Sequence, residues 1–359
     1  MSKSVEGRPA GPVDGIRAVL ERYFRPDQRH PATRFMGVLL TVGSVLSIGT
    51  LIGIVVEVGW HHLWLAFTHA QWVYMIMVPV AVAVSHLGYT VAYQEVVRSE
   101  ECRDLGWREA LHIVMTGFGP LSPKGGYAVD AKELVRRGMD PDNAARTVRG
   151  LGLLEYAVLA PAALAAAVYM AVAGMRAQAG LLPSWIVGVP VGSAVAIALL
   201  VRFRRRSCPE RWWAPLRRQM EAIDGLLDLL GSWRRAPLAV TGMVVYWLAE
   251  IAALGGCIEV FAHRRAAVAA IIVGYATGYA LTRRSLPLAG AGVVEALMPF
   301  ALSWVGFPLA SSVLAVIAYR IFNMWLAMIP AVFSLHHLER LEARKAMAKD
   351  RPLSRSVTA

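Results

Sequence analysis

The sequence predicts an all-α polytopic membrane protein with about eight spans and a re-entrant hairpin, and three observations predict it. Hydrophobic residues make up 56% of the 359 residues and charged residues only 17%, whereas soluble chains carry about 25% charged residues. The apolar residues form blocks of about twenty, the length that a helix needs to cross a hydrocarbon core. Lys and Arg (37, against 25 acidic residues) are concentrated between these blocks, so the net charge of +12 indicates membrane topology and not nucleic-acid binding.

Residues 1–34 form a basic segment that we expect in the cytoplasm. The segment holds seven Lys or Arg and four acidic residues. Apolar side chains recur in it at helical spacing, at Val13, Ile16, Leu20, Tyr23 and Phe24. This pattern predicts a short amphipathic helix on an anionic leaflet, and a solvated tail is the alternative.

A transmembrane domain is predicted over residues 35–335, followed by a basic tail over 336–359. Residues 57–71 contain no Lys or Arg and are expected outside, whereas 202–235 contain nine arginines and are expected inside. Both termini are then cytoplasmic, in a bacterial inner membrane, and the basic patch His263–Arg265 on an outer turn is the exception. The predicted spans are 35–56, 72–93, 151–173, 184–201, 237–261, 266–282, 286–305 and 309–334.

Residues 111–129 do not fit a simple span, because glycines and prolines interrupt an otherwise apolar segment. A crossing here would move the arginine-rich loop outside, so we predict a re-entrant hairpin that enters from the cytoplasm. Irregular backbone at membrane depth is tolerated only against protein or a water-filled cavity, which makes the hairpin a candidate site. The interrupting residues are Gly117, Gly119, Pro120, Pro123, Gly125 and Gly126.

Lys124 is the candidate anion ligand of this hairpin. It stands before Gly125 and Gly126, where glycine lets backbone N–H groups approach a headgroup closely. Arg149 follows near the predicted cytoplasmic exit. A similar order of glycine, proline and arginine recurs between Pro287 and Arg320, which indicates a weak internal repeat of the kind that marks transporter sites.

Five polar residues in the predicted spans are further candidates, because ionisable groups are costly at membrane depth. They are Glu155, Glu250, Glu295, Arg320 and Asn323. Glu295 and Arg320 form the strongest pair, since they lie on adjacent spans. Two interpretations stay open for this pair: a structural ion pair, or an arginine that binds a lipid phosphate while Glu295 neutralises it in the empty state. In the second interpretation Glu155 and Glu250 are internal counter-charges or proton carriers.

Enzyme activity, a cofactor and a metal site are not expected. The sequence has no Walker loop, no His-Glu-x-x-His and no Gly-x-Ser-x-Gly motif. No aspartate pair or His/Asp cluster is predicted at the inner face to hold a metal. The cysteines Cys102, Cys208 and Cys257 share no metal-ligand spacing and cannot pair evenly, so disulfides are not expected either.

Several motifs resemble those of one family, the lysylphosphatidylglycerol synthase transmembrane region, a flippase-like integral membrane family. The resemblance covers about residues 35–340 and includes the runs GFGPLSPKGGYAV, LPLAGAGVVEALMPF and AYRIFNMWL. Lys124 departs from the small residue usual in the family's hairpin. The matching positions are Leu105, Gly106, Pro123, Gly125, Gly126, Leu134, Gly138, Pro287, Gly290, Gly292, Glu295, Tyr319 and Arg320.

The resemblance implies a domain that moves or binds lipids, like the membrane domain of the multiple peptide resistance factor. No aminoacyl-transferase domain is expected in this chain, so lipid synthesis is not predicted. The expected partners are membrane lipids with anionic or glycosylated headgroups. The alternative is a non-transporting scaffold for a lipid- or glycan-modifying enzyme.

Overall fold

The computed structural model describes residues 58–99, 105–118, 125–205, 210–232, 235–262, 267–279 and 293–349, with single positions between 45 and 56. The predicted amphipathic helix near the N-terminus lies outside these residues, as does most of the first predicted span. Regular structure in the described residues is helical throughout, which confirms the all-α class.

Twelve α-helices lie in the described residues, and we number them in chain order. A 3-10 turn, Trp72–Ile76, leads directly into the second helix. The helices are α1 (Trp60–Thr68), α2 (Met77–Ser99), α3 (Trp107–Phe118), α4 (Gly126–Arg136), α5 (Pro141–Val172), α6 (Leu181–Arg205), α7 (Glu210–Gly231), α8 (Ala236–Ala262), α9 (Val268–Tyr279), α10 (Val293–Trp304), α11 (Leu309–Arg320) and α12 (Met328–Lys349).

Five helical segments of the described chain are long and apolar enough to cross a membrane. Each overlaps a predicted span, namely the second, third, fourth, fifth and eighth. The polytopic architecture expected from the sequence is therefore confirmed. The segments are Trp72–Arg98, Pro141–Val172, Leu181–Arg202, Ala236–Ala262 and Leu309–Leu338.

The predicted spans 266–282 and 286–305 are described as the two short apolar helices α9 and α10. Each has 12 residues, which makes it about 18 Å long. The hydrocarbon core is about 30 Å thick, so each described helix covers little more than half of it. The connection between them, residues 280–292, lies outside the described residues.

Glycines on α9 allow α9 and α10 to pack closely as an antiparallel pair. A Cβ added to Gly274 would lie 2.9 Å from Leu302 Cδ2, and one on Gly278 would lie 2.7 Å from the Cα of Met298. At Gly278 the near atom is backbone, so a larger residue there would require the partner helix to move. The earlier glycine therefore faces the later part of α10, which fixes the antiparallel direction.

The predicted re-entrant hairpin corresponds to α3 and α4, and its turn, 119–124, lies outside the described residues. The open ends of the two arms are joined by an ion pair, since Arg137 Nη1 lies 2.8 Å from Glu109 Oε2. At the other end of α3, the ring of Phe118 packs edge-on against Tyr89 with centroids 4.9 Å apart. Tyr89 lies in the middle of α2, so α3 ends at mid-depth in the bundle.

The crossing of α2 and α8 is another close contact between helices. A Cβ on Gly88 would lie 2.7 Å from the backbone N of Tyr246. One on Gly242 would lie 2.7 Å from both the backbone N of Ala92 and the carbonyl O of Gly88. The two backbones therefore touch, as small residues allow in membrane helices.

One end of the bundle gathers the ends of α8, α11 and the turn after α1. The backbone N of Gln71 donates to Val260 O at 2.8 Å, and the hydroxyl of Ser311 donates to Phe261 O at 3.0 Å. The last residue of α10 lies at the same end, because the short segment 305–308 joins α10 to α11. The α9–α10 pair therefore enters the bundle from this end, opposite to the α3–α4 hairpin.

The last membrane-length segment is interrupted by a π-helical turn, Ile321–Leu326. Its two halves have different partners, since α11 packs on α8 and α10, whereas α12 packs on α3. π-helical turns are rare in proteins as a whole, and those that occur often lie at functional sites.

Candidate functional site

A fully buried carboxylate lies in the middle of the bundle. Glu250 of α8 is 0% exposed. The hydroxyl of Ser85 on α2 donates to its Oε1 at 2.7 Å, and Tyr319 of α11 donates to its Oε2. The amide of Asn323 in the π-helical turn donates to Oε1 at 2.9 Å and to Oε2 at 2.7 Å. One carboxylate therefore ties α8 to α2, α11 and the π-helical turn.

The short helix α9 joins this arrangement through Tyr275. Its hydroxyl oxygen lies 3.2 Å from that of Tyr319 and 3.5 Å from Oε2 of Glu250. The ring of Tyr275 stacks on that of Tyr279 at a centroid distance of 4.9 Å. We call Ser85, Glu250, Tyr275, Tyr319 and Asn323 the Glu250 network. Its side chains come from α2, α8, α9, α11 and the π-helical turn.

A buried ion pair lies one residue further along α11. Arg320 Nε is 2.6 Å from Glu295 Oε1, and the two side chains are 2% and 11% exposed. The guanidinium also contacts the sulfur of Met324 at 2.7 Å from Nη2. Because Tyr319 and Arg320 are consecutive, α11 directs neighbouring side chains toward two different carboxylates. The structure thus brings the predicted pair into contact, on α10 and α11.

A third buried carboxylate belongs to α5. Glu155 is 3% exposed, and its Oε1 accepts a hydrogen bond of 2.7 Å from the hydroxyl of Tyr89 on α2. Its backbone carbonyl accepts a second one, of 3.0 Å, from the indole N–H of Trp247 on α8. These bonds join α5 to the crossing of α2 and α8.

Aromatic rings connect the surroundings of Glu155 and Glu250. The centroid distances are 6.0 Å from Phe118 to Tyr246, 4.8 Å from Tyr246 to Trp247, and 5.8 Å from Trp247 to Tyr275. The series begins at the inner end of α3 and ends on α9. The two helical hairpins, which enter from opposite ends, therefore reach the same central layer of the bundle.

The other predicted site residues that the structure describes take part in none of the contacts described above. Gly125 has a φ of 81° and directly precedes α4, of which Gly126 is the first residue. Arg149 is half-buried on α5 and makes none of the contacts of the central layer. Lys124 lies outside the described residues, and its role stays a prediction.

Sequence reasoning missed the neutral donors, Ser85, Tyr89 and Tyr275. A buried carboxylate requires hydrogen-bond donors, so polar side chains of neighbouring spans were to be expected around each glutamate. Which ones lie there depends on where α2 and α8 cross, and that crossing is fixed by Gly88 and Gly242. Neither glycine stands out in a sequence with 31 glycines.

Arg320 gives the central layer one group whose chemistry suits an oxyanion. Within the described ranges, no three His, Cys, Asp or Glu side chains are grouped to coordinate an ion. A guanidinium carries five N–H donors in a planar fork that matches phosphate or carboxylate oxygens. Arg320 already binds a carboxylate through Nε.

The hydrogen bonds of Glu250 lead to a testable prediction. Glu250→Gln places an amide N–H₂ among side chains that themselves donate, so one donor loses its acceptor, at a cost of about 1–3 kcal/mol. We expect a lower thermal unfolding midpoint of the purified protein in detergent. Adding Asn323→Asp reverses donor and acceptor and is expected to recover most of the loss. An unchanged midpoint in Glu250→Gln would contradict this network.

Comparison with known proteins gives one match over most of the chain. The family model described as "Lysylphosphatidylglycerol synthase TM region" matches residues 37–331. No curated protein matches the chain. Because the family model covers most of the sequence, the chain belongs to this family, as the motifs of the sequence predicted.

Proposed function

From this family membership and the buried polar centre together, we propose that the protein is a lipid flippase or lipid transporter without an ATPase of its own. Its substrate is an anionic phospholipid or a lipid-linked sugar. The observation that carries the proposal is the arginine of the central layer. Arg320 is 2% exposed, lies midway along a membrane-length segment, and pairs with Glu295 of the α9–α10 hairpin.

The polarity of the central layer supports movement of a headgroup. Burying a charged side chain costs free energy, because the side chain loses its contacts with water and with lipid headgroups. Charged groups are therefore rare in the interior of membrane helix bundles. This bundle nevertheless buries Glu155, Glu250, Glu295 and Arg320 at mid-depth. A headgroup crossing the bilayer needs polar partners at that depth.

The two opposed hairpins support the same proposal. Broken helices that enter from opposite ends and meet near the middle are typical of transporter sites. In the proposed mechanism the headgroup binds between them, where Arg320 exchanges Glu295 for the substrate's oxyanion. Glu155 and Glu250 act as internal counter-charges or proton carriers, and the hydrogen bonds of the Glu250 network hold the surrounding helices in register.

We place the protein in the bacterial inner membrane with both termini in the cytoplasm. The distribution of Lys and Arg supports this orientation, since residues 57–71 have none and 202–235 have nine arginines. In this orientation the α3–α4 hairpin opens toward the cytoplasm and the α9–α10 pair toward the outside.

A non-transporting scaffold for a lipid- or glycan-modifying enzyme is the second candidate, and α6 favours it. Only 6% of its most apolar stretch is buried, against 44–61% in the other four membrane-length segments. Such a helix offers a long surface to another membrane protein. A stable complex with such an enzyme, together with no lipid transport by the purified protein, would support the scaffold.

The deciding experiment is mass spectrometry of the lipids that the purified protein retains in nanodiscs, compared with the bulk membrane. We expect enrichment of one anionic or glycosylated lipid, and loss of that enrichment in Arg320→Ala. Arg217→Ala is the matched control, because this arginine is exposed and pairs with Glu221 one turn away. A retained population equal to the bulk would contradict a specific site.

A further inference from the structure

The helix α1 carries an aromatic face that the rest of the described chain does not cover. Trp60, Trp64 and Phe67 follow each other at helical spacing and are 71%, 53% and 44% exposed. The rings of Trp64 and Phe67 are stacked at a centroid distance of 6.2 Å. Leu63 points the other way, is 6% exposed, and packs with Val313 of α11.

The same helix also carries polar side chains at its surface. The ring Nδ1 of His62 lies 2.9 Å from Val58 O, and the hydroxyl of Thr68 donates to Leu65 O at 3.2 Å. The ring Nδ1 of His69, the residue that follows the helix, lies 2.8 Å from the same carbonyl oxygen. A helix with imidazoles and hydroxyls beside exposed indoles suits neither bulk water nor the hydrocarbon core. Tryptophan and histidine, with an apolar body and a polar edge, suit the boundary between the two.

The position of α1 in the fold agrees with that boundary. Nine residues long, it cannot cross the membrane. The turn after it is tied to the end of α8 through Gln71 and Val260, and Trp72 packs edge-on against Phe261 with centroids 5.9 Å apart. The helix therefore lies at the level where three membrane-length segments begin or end.

The charge of residues 57–71 determines which kind of bilayer surface α1 can bind. Residues 57–71 hold one acidic residue, Glu57, and no Lys or Arg. A basic amphipathic helix binds anionic lipid through its positive charges, and α1 lacks them. Its affinity for a bilayer must come from the burial of aromatic surface alone.

We propose that α1 lies in the lipid–water interface as an aromatic anchor, with Trp60, Trp64 and Phe67 inserted at the level of the headgroups and upper acyl chains. The partner is the lipid surface itself, irrespective of headgroup charge. The anchor packs against α11 through the contact of Leu63 with Val313, and α11 is the helix that carries Tyr319 and Arg320. This inference is independent of lipid transport, because it concerns where α1 lies and not what the central layer binds.

The test uses the full chain in nanodiscs, with Trp64→Cys carrying a fluorophore in a variant whose three native cysteines are replaced and which stays monodisperse. Quenching is measured with lipids brominated close to the headgroup, with lipids brominated near the chain ends, and with aqueous iodide. Val195→Cys is the control, since it is exposed in the middle of α6. There we expect the deeply brominated lipids to quench most.

At position 64 we expect the shallow bromines to quench at least about twofold more than the deep ones, as for side chains of the interfacial aromatic belt. Iodide is expected to quench weakly, and adding phosphatidylglycerol is expected to change nothing. Dominant quenching by iodide would place α1 in water and overturn the proposal. Protection from all quenchers that grows with the number of protein copies per disc would also overturn it, because a second copy would then cover the face.

Discussion

Replacing Arg320 by alanine is expected to abolish enrichment of the bound lipid and to lower stability. The substitution leaves Glu295 buried at 11% side-chain exposure without the guanidinium that lies 2.6 Å away. Breaking a buried pair by removing one partner costs about 3–5 kcal/mol in soluble proteins. We expect a clearly lower thermal unfolding midpoint in detergent, measured by size-exclusion chromatography after heating.

A double variant separates the two interpretations of this pair. Arg320→Met with Glu295→Leu removes both charges, and replacing a buried pair by apolar residues of similar size is often neutral or stabilising. We therefore expect the midpoint to return toward that of the wild type while lipid enrichment stays lost. Recovery of both properties would show that the pair is only structural. Failure to recover the midpoint would show that the two residues do not act as a pair.

Replacing Gly242 by leucine is expected to have an effect of similar size, through the backbone. A Cβ at this position would lie 2.7 Å from backbone atoms of Gly88 and Ala92, and backbone cannot move aside as a flexible side chain does. Overpacking typically costs about 1–3 kcal/mol, and we expect the upper end of this range. The separation of α2 from α8 also pulls Ser85 away from Glu250.

The measurement is the fraction of monodisperse protein after extraction and its unfolding midpoint. Gly188→Leu on α6 is the matched control, because a Cβ there meets nothing within 4 Å. Gly242→Ala is expected to fall between the wild type and the leucine variant. Equal behaviour of Gly188→Leu and Gly242→Leu would contradict the close crossing.

Length and polarity sufficed to predict the membrane-length helices. A block of about twenty apolar residues has few structural solutions in a bilayer, since every backbone polar group must be bonded within its own helix. The interruption by Gly117 and its neighbouring glycines and prolines likewise predicted a hairpin instead of a span. These features depend on local composition, which the sequence contains directly.

The predicted spans 266–282 and 286–305 overlap the 12-residue apolar helices α9 and α10, and residues 280–292 between them lie outside the described residues. The sequence predicted which charged residues lie at membrane depth, but it did not predict all of their hydrogen-bond partners. The contact of Arg320 with Glu295 was expected from adjacent spans, whereas the bond of Asn323 to Glu250 joins segments 73 residues apart and depends on the packing of α8 against α11.

The Glu250 network also has a consequence for how the chain is made. Ser85 and Glu250 are 165 residues apart, so the span that holds Ser85 leaves the ribosome long before α8. Until α8 is present, the hydroxyl of Ser85 can donate to Val82 O of its own helix, which lies 2.8 Å away. Glu250 receives bonds from Tyr319 and Asn323, which are synthesised after it. Glu250 of the nascent chain therefore lacks two of its hydrogen-bond donors until the last membrane-length segment has been synthesised. Its hydrogen bonds are completed only when that C-terminal segment packs against α8.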